Sequence, residues 1–207
     1  LAPIVEAISN SLEAISDRQK ADKNPARGRV FIRFHFKGLL QEDSYLESVE
    51  ITDNGIGFND ENYKRFIDFL DNTKGYKNRG TGRIQYLHFA EKVEVTSNYT
   101  LDNVTRRRHF ICNPKTFISA SSDEAVDNAV DFGSTVIMQD LTLGETERAY
   151  FNDLRLGQLK IALKSTFLLR LHLERVNNPD LAPEVALEFW RNRKLMEVGT
   201  LTIDDIP

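Results

Sequence analysis

The chain has 207 residues, of which 41% are hydrophobic and 28% are charged, and its formal net charge is −4. This composition is typical of a globular domain that can bury a core, and the mild acidity argues against a protein that binds nucleic acid or membranes over its whole surface. The single cysteine, Cys112, excludes an internal disulfide, and the four histidines show no metal-ligand spacing with one another or with it.

The sequence carries no targeting signal that we recognise. No apolar run approaches the roughly 20 residues that span a bilayer, and no signal-peptide pattern opens the chain. We therefore expect a cytoplasmic location and no membrane partner. Because the chain begins with Leu1, close to the start of a predicted helix, we expect further residues upstream.

Hydrophobic periodicity predicts the secondary structure in chain order. The predicted elements are a helix over 4–16, strands over 30–36 and 46–52, helices over 59–70 and 81–90, strands over 93–96, 107–112 and 134–138, a long helix over 152–176, and a hairpin of 185–190 and 195–203 around Asn192-Arg193. Residues 119–131 are polar and are predicted to form a loop. This order predicts an α/β fold, a two-layer sandwich in which helices cover one face of a mostly antiparallel mixed sheet.

Three further features have ordinary structural interpretations. The basic run of residues 106–109 is predicted to be the solvated end of a strand, so nucleic-acid binding is possible but not indicated. Cys112 is predicted to be a buried strand residue. The helix over 152–176 is apolar on more than one side, which favours packing on the sheet or at a domain junction over binding of a partner.

The first helix carries a polar trio, Glu6, Asn10 and Glu13, whose spacing of four and three places the side chains on one face. Such a trio is typical of a solvated surface, but its place directly before a strand–turn–glycine pattern favours a functional site. The amide oxygen of Asn10 suits Mg²⁺ held between phosphates. A Glu one turn away, Glu6, has the chemistry to deprotonate a water that attacks a γ-phosphate.

The second strand ends in a turn that contains Asp53, Gly55 and Gly57. A turn of this type is often purely structural. In the functional interpretation, Asp53 accepts a hydrogen bond from the exocyclic amino group of adenine, and Gly57 lets the backbone approach the base. A buried carboxylate in this role discriminates against guanine, which has a carbonyl at that position.

A third stretch, Gly80-Thr81-Gly82, precedes a helix, so unpaired backbone N–H groups and the positive end of the helix dipole can hold phosphate there. Lys74 and Arg79 add positive charge nearby. The stretch is not a Walker A loop, because the Gly-Lys-Ser/Thr ending is missing.

The ordered set resembles the GHKL ATPases, which include type II topoisomerase ATP domains, Hsp-ninety chaperones, histidine kinases and MutL proteins. Glu6 and Asn10 match the N-box, the Asp53 turn matches the first glycine box, and Gly80 and Gly82 match the second. Gly133-Ser134-Thr135-Val136 resembles the last motif, in which a hydroxyl supports the adenine-binding Asp, and both Ser134 and Thr135 qualify. Asn72-Thr73-Lys74 resembles the lid element of MutL and MORC proteins.

The resemblance implies an ATP-binding domain over about 1–148 with a lid at about 58–79, and a C-terminal helix and hairpin over 149–207 that either end this domain or begin a following one. It also implies ATP and Mg²⁺ as ligands and an ATP-dependent homodimer in the full-length protein. Glu6, together with the acidic Glu13, follows the hydrolases of the family, although these usually have Asp at position 13. The implied function is an ATPase module of a molecular clamp or chaperone. The alternatives are a nucleotide-switched interaction domain without turnover and a histidine-kinase catalytic domain.

Overall fold

A computed structural model of the protein describes residues 1–23, 25–38, 44–67, 82–127 and 131–201. Within these residues the elements are α1 (Ala2–Ala21), β1 (Arg29–Lys37), β2 (Tyr45–Asp53), α2 (Asp60–Ile67), α3 (Gly82–Phe89), β3 (Ala90–Leu101), β4 (Val104–Asn113), β5 (Phe117–Ala125), β6 (Gly133–Leu141), α4 (Glu145–Asn152), α5 (Leu156–Asn177), β7 (Glu184–Arg191) and β8 (Lys194–Leu201).

The described strands form one sheet in the order β5-β4-β3-β6-β2-β1-β7-β8. Every pairing among them is antiparallel except that of β1 with β7, which is parallel. Along β1 and β3, buried residues alternate with more exposed residues, as expected for strands with one face covered by helices. The predicted fold, a mostly antiparallel mixed sheet with helices on one face, is therefore confirmed.

Helix α1 packs on the centre of the sheet through the predicted apolar stripe. The stripe residues Ile4, Ile8, Leu12 and Ile15 are at most 3% exposed and belong to the same core as the inward-facing side chains of β1 and β2. Burial of each such side chain contributes about 1.5–3 kcal/mol. The helix runs five residues further than predicted, and it ends at the extended residue Asp22, whose N–H donates to the carbonyl of Arg18.

Two predictions of secondary structure were wrong. Residues 117–125, most of which lie in the predicted polar loop, form edge strand β5. This strand is mostly exposed and is held by hydrogen bonds to β4 and not by burial, so it lacks an apolar alternation. The long helix was predicted to begin at residue 152, but that residue ends α4, and α5 begins at Leu156 after a short non-helical segment. Each of these helices has its own start signal: Glu147 accepts from the N–H of Gly144, and Gln158 accepts from the N–H of Arg155.

The basic run on β4 is also not the solvated strand end that was predicted. Arg108 is 5% exposed and makes a hydrogen bond to the carbonyl of Phe58 (3.0 Å) and ion pairs with Asp60 (2.6 Å) and Asp123 (2.5 Å). Its guanidinium also lies 4.5 Å from the centre of the Tyr63 ring. This arginine therefore fastens the start of α2 to the sheet.

Cys112 is buried in β4, as predicted, and burial raises the pKa of its thiol to about 12. Cys112 is part of the hydrophobic core, so its thiol stays protonated and contributes to packing. Among the described residues, no helix is long and apolar enough to cross a membrane.

The C-terminal elements complete the same sheet. Strand β7 lies beside β1, and α5 packs over β7 and β8 through Leu156, Leu159, Leu163 and Phe167. The prediction that this helix packs on the sheet is confirmed. Its opposite side exposes four apolar residues, Ile161, Leu169, Leu173 and Val176.

Candidate functional site

The Asp53 side chain is held at the end of β2 between α1 and β6. It is 7% exposed, its Oδ1 accepts from the N–H of Gly55 (2.8 Å), and its Oδ2 accepts from the hydroxyl of Ser11 (3.0 Å). Burial raises the pKa of this carboxyl to about 6, although the hydrogen bonds from Gly55, Ser11 and the backbone of Ser134 oppose the rise. The site therefore fixes a desolvated carboxylate in one orientation.

The two glycines of the turn are required by neighbouring protein groups. A Cβ on Gly55 would lie 2.6 Å from the Cβ of Ala14, so the turn can dock on α1 only without a side chain there. Gly57 has a φ of +79°, and a Cβ on it would lie 2.7 Å from the carbonyl oxygen of Asn98 on β3. In this structure the backbone at Gly57 lies close to β3. The turn therefore contacts α1 at Gly55 and the sheet at Gly57.

The register of β2 with β6 distinguishes the two hydroxyl residues of the last motif. Ser134 lies opposite Asp53, is 6% exposed, and its hydroxyl is 3.0 Å from that of Ser97. Thr135 lies opposite Thr52 with its hydroxyl 3.1 Å from that of Thr52, which places it on the other face of the sheet. Only Ser134 of this pair is therefore on the Asp53 side.

Glu6 and Asn10 lie on α1, which packs beside α3. Asn10 Nδ2 donates to the hydroxyl of Tyr86 (3.0 Å), a residue of α3 that is 6% exposed. The pKa of Glu6 is raised by partial burial and by the charge of Glu13, while its hydrogen bond with Asn10 opposes the rise. A carboxyl with a raised pKa next to a neutral amide can take up a proton from water, which is the property that a general base needs.

The remaining predicted site residues are only partly covered by the structure. Glu13 is half-buried on α1, and Gly82 is the first residue of α3. The predicted phosphate-binding residues Lys74, Arg79, Gly80 and Thr81 lie outside the described residues. The structure thus brings together Glu6, Asn10, Asp53, Gly55, Gly57 and Ser134, and it separates Thr135 from them.

Three residues of the site were missed by the sequence analysis: Ser11, Ser97 and Tyr86. Ser11 had a signal, because it falls in the apolar stripe of α1 three residues after Ile8, where a hydroxyl must find a buried partner. Ser97 accepts from the N–H of Phe58 (2.7 Å) and donates to the carbonyl of Gly133 (3.0 Å), so it joins the Asp53 turn to β6. Its role depends on strand register, which no local pattern shows.

Comparison with known proteins adds evidence on the fold. No protein-family model matches the chain, and no curated protein matches it in sequence. The N-terminal domain of a DNA repair protein matches with a TM-score of 0.56 and 16% identity, over 96% of this chain and 50% of that one. The ATPase region of Saccharomyces cerevisiae topoisomerase II matches with a TM-score of 0.50 and 12% identity, over 93% of this chain and 48% of that one. The chain shares the fold of these two domains, as its resemblance to the GHKL ATPases implied. It spans about half the length of these two structures.

The residues present fit the ligands that the GHKL fold implies. Asp53 is a buried acceptor with its backbone and hydroxyl donors already in place, which is the chemistry needed to receive an amino group. Asn10 uses its amide nitrogen on Tyr86, and within the described part of the chain no hydrogen bond is donated to its amide oxygen. That oxygen is a hard neutral ligand of the type that Mg²⁺ accepts.

Proposed function

We propose that this chain is the ATP-binding and ATP-hydrolysing module of a clamp-type or chaperone-like ATPase. The observation that carries the proposal is the Asp53 carboxylate, which is 7% exposed and fixed by Gly55 and Ser11 at the junction of α1, β2 and β6. Burial of a charged carboxylate costs free energy of desolvation, and carboxylates buried in this way are typical of sites that bind a specific ligand. The match in fold to a topoisomerase ATPase region supports the same proposal.

Each residue of the site has a proposed role. Asp53 accepts a hydrogen bond from the exocyclic amino group of adenine, and the hydroxyl of Ser11 and the backbone N–H of Ser134 hold the carboxylate in place. Asn10 holds Mg²⁺, which when bound screens the phosphate charges and orients the γ-phosphate. Glu6 orients a water and takes up its proton as the water attacks. The raised pKa of Glu6 favours that proton uptake.

The phosphates are proposed to bind at the N-terminus of α3, where Gly80, Thr81 and Gly82 would supply backbone N–H groups and Lys74 and Arg79 would supply charge. The proposed lid covers about 58–79. Arg108 holds Phe58 and Asp60 at its start to the sheet, so we propose that closure over ATP involves the residues after them. Closure would complete an ATP-dependent homodimer contact in the full-length protein.

Calorimetric titration with ADP and with a non-hydrolysable ATP analogue, with and without Mg²⁺, tests the proposal. We expect the wild-type chain to bind both, and Asn10→Ala to lose the Mg²⁺-dependent part of the affinity only. Ser11→Ala should weaken ADP binding by about tenfold, which corresponds to about 1.4 kcal/mol, because it removes the hydroxyl that donates to Asp53 Oδ2. The matched control is Thr135→Ala, which removes a hydroxyl on the other face of the sheet and should leave the affinity unchanged.

Absence of any binding by the folded wild-type chain would refute the proposal. Equal losses in Ser11→Ala and Thr135→Ala would refute the placement of the adenine-binding pocket on the helix-covered side of the sheet.

A further inference from the structure

Among the described residues, one side-chain hydrogen bond links the polar trio of α1 (Glu6, Asn10 and Glu13) to α3, and it is made by Tyr86. Its hydroxyl accepts from Asn10 Nδ2 at 3.0 Å, and its ring is 6% exposed in the core between the two helices. Burial raises the pKa of this phenol, and its hydrogen bond with Asn10 opposes the rise, so the hydroxyl stays neutral at physiological pH. A buried neutral hydroxyl is thus held against an Asn on the exposed side of α1.

This contact determines which way the Asn10 amide faces. The amide nitrogen and oxygen lie on opposite sides of Cγ, so a nitrogen fixed on Tyr86 turns the oxygen away from α3. Without the Tyr86 hydroxyl, the amide of Asn10 keeps, among the described residues, only its hydrogen bond with Glu6, and an Asn on an exposed helix face has about two χ1 wells and two amide orientations. At the limit where Glu6 favours none of them, about one quarter of that ensemble would present the oxygen as it is presented here.

We propose that Tyr86 is a positioning residue for Mg²⁺, which acts through Asn10 by holding the amide so that its oxygen is available to the metal. The inference rests on the proposed function, because it concerns the metal of that same site. Gly82, the first residue of α3, is also the last residue of the proposed phosphate-binding stretch, so the same contact links the helix that follows this stretch to the proposed metal-binding helix.

The test is a calorimetric titration of ADP in EDTA and in Mg²⁺ for four proteins: the wild type, Tyr86→Phe, Asn10→Ala and the double variant. We expect Tyr86→Phe to keep the affinity in EDTA within about twofold and to lose about fourfold of the gain that Mg²⁺ gives, as the fraction of competent Asn10 orientations falls. The double variant should lose no more of that gain than Asn10→Ala alone, because Tyr86 acts through Asn10.

Tyr99→Phe is the matched control. Tyr99 is 1% exposed, and its hydroxyl donates to Asp123 (2.7 Å) away from α1, so its loss should lower the melting temperature without changing the Mg²⁺-dependent gain. An unchanged gain in Tyr86→Phe, an equal loss in EDTA and in Mg²⁺, or a further loss in the double variant would overturn the inference and leave nucleotide binding standing. A folded wild type that binds no ADP in EDTA would overturn the proposed function and this inference with it.

Discussion

At the scale of single residues, the site is built around a buried carboxylate, Asp53, which destabilises the folded state when it is charged. Burial raises the pKa of Asp53 from 3.8 to about 6, which corresponds to about 3 kcal/mol of lost stability when the group is charged. The hydrogen bonds from Ser11 and Gly55 reduce this penalty without removing it. Carboxyl groups with a strongly raised pKa are concentrated at functional sites, which supports the proposal that Asp53 receives a hydrogen bond from a ligand.

The raised pKa of Asp53 predicts how stability depends on pH. Because the folded-state pKa lies above the unfolded one, the charged carboxylate destabilises the fold above about pH 6, and the penalty is relieved as the pH falls through 6. Relative to Asp53→Asn, the wild type should therefore gain about 1 kcal/mol in free energy of unfolding between pH 7 and pH 5. Urea denaturation of both proteins at several pH values measures this. Parallel pH profiles for the two proteins would show that Asp53 is not desolvated.

Glu6 carries the proposed chemistry, so its substitution should separate hydrolysis from binding. Glu6→Gln keeps the shape of the side chain and removes the base, and the rate of phosphate release should fall by about 100-fold or more. ADP affinity should stay within about twofold. The control is Glu91→Gln, an exposed residue at the start of β3. Full turnover by Glu6→Gln would exclude Glu6 as the base, and binding without turnover by the wild type would favour the nucleotide-switched interaction domain.

At the scale of elements, α2 is fastened to the outer strands by one buried arginine. Arg108 bonds to Phe58 and Asp60 at the start of α2 and to Asp123 on β5, and Phe58 and Phe66 pack on the ring of Phe110. Burial raises the pKa of Asp123, but the hydrogen bonds from Tyr99, Arg108 and Arg106 outweigh it, so the net pKa is lowered. The Asp123 carboxylate therefore stays charged at neutral pH, and its ion pair with Arg108 is kept.

Removal of this arginine should release α2. Arg108→Gln leaves buried polar partners unpaired and should lower the free energy of unfolding by about 3 kcal/mol. Hydrogen exchange should speed up most over residues 60–67. Arg107→Gln is the matched control, because Arg107 is the neighbouring residue of the strand and, among the described residues, makes one hydrogen bond, to Asn98, worth about 1 kcal/mol. Equal losses in both variants, or unchanged exchange in α2, would contradict the anchoring role.

The elements also show why some of the structure was predictable. Strands β1 and β2 alternate buried and exposed residues, so periodicity alone placed them within one residue of their ends. Strand β5 has no buried apolar face, so its polar sequence resembles a loop. The basic run of β4 resembles a solvated surface until Asp60 and Asp123, which lie far apart in sequence, meet around Arg108.

At the scale of the whole molecule, the pairing of strands that are distant in sequence determines which side chains lie beside Asp53. Asp53 and its turn could be predicted as a unit, because the turn is local. The choice of Ser134 over Thr135 could not, since it depends on β2 pairing with a strand about 80 residues away. The same holds for Tyr86, which reaches Asn10 only because α3 packs beside α1.

The C-terminal elements share the core, which predicts one cooperative unfolding unit. Leu163 on α5 is fully buried, and Leu163→Ala should lower the free energy of unfolding by about 2–5 kcal/mol. Leu169→Ala, on the exposed side of the same helix with 69% exposure, should change it by at most about 0.5 kcal/mol. Circular dichroism in urea should show a single transition that moves as a whole in Leu163→Ala. Two separate transitions would mean that α5 and its hairpin fold independently.

The most direct test of the account is the titration of ADP, at neutral pH and in EDTA, into the wild-type chain and into Asp53→Asn. The account predicts saturable binding to the wild type and a loss of about tenfold or more in Asp53→Asn, because the amide presents a donor where the adenine amino group needs an acceptor. Equal affinity of both proteins for ADP would contradict the assignment of Asp53 as the residue that recognises adenine.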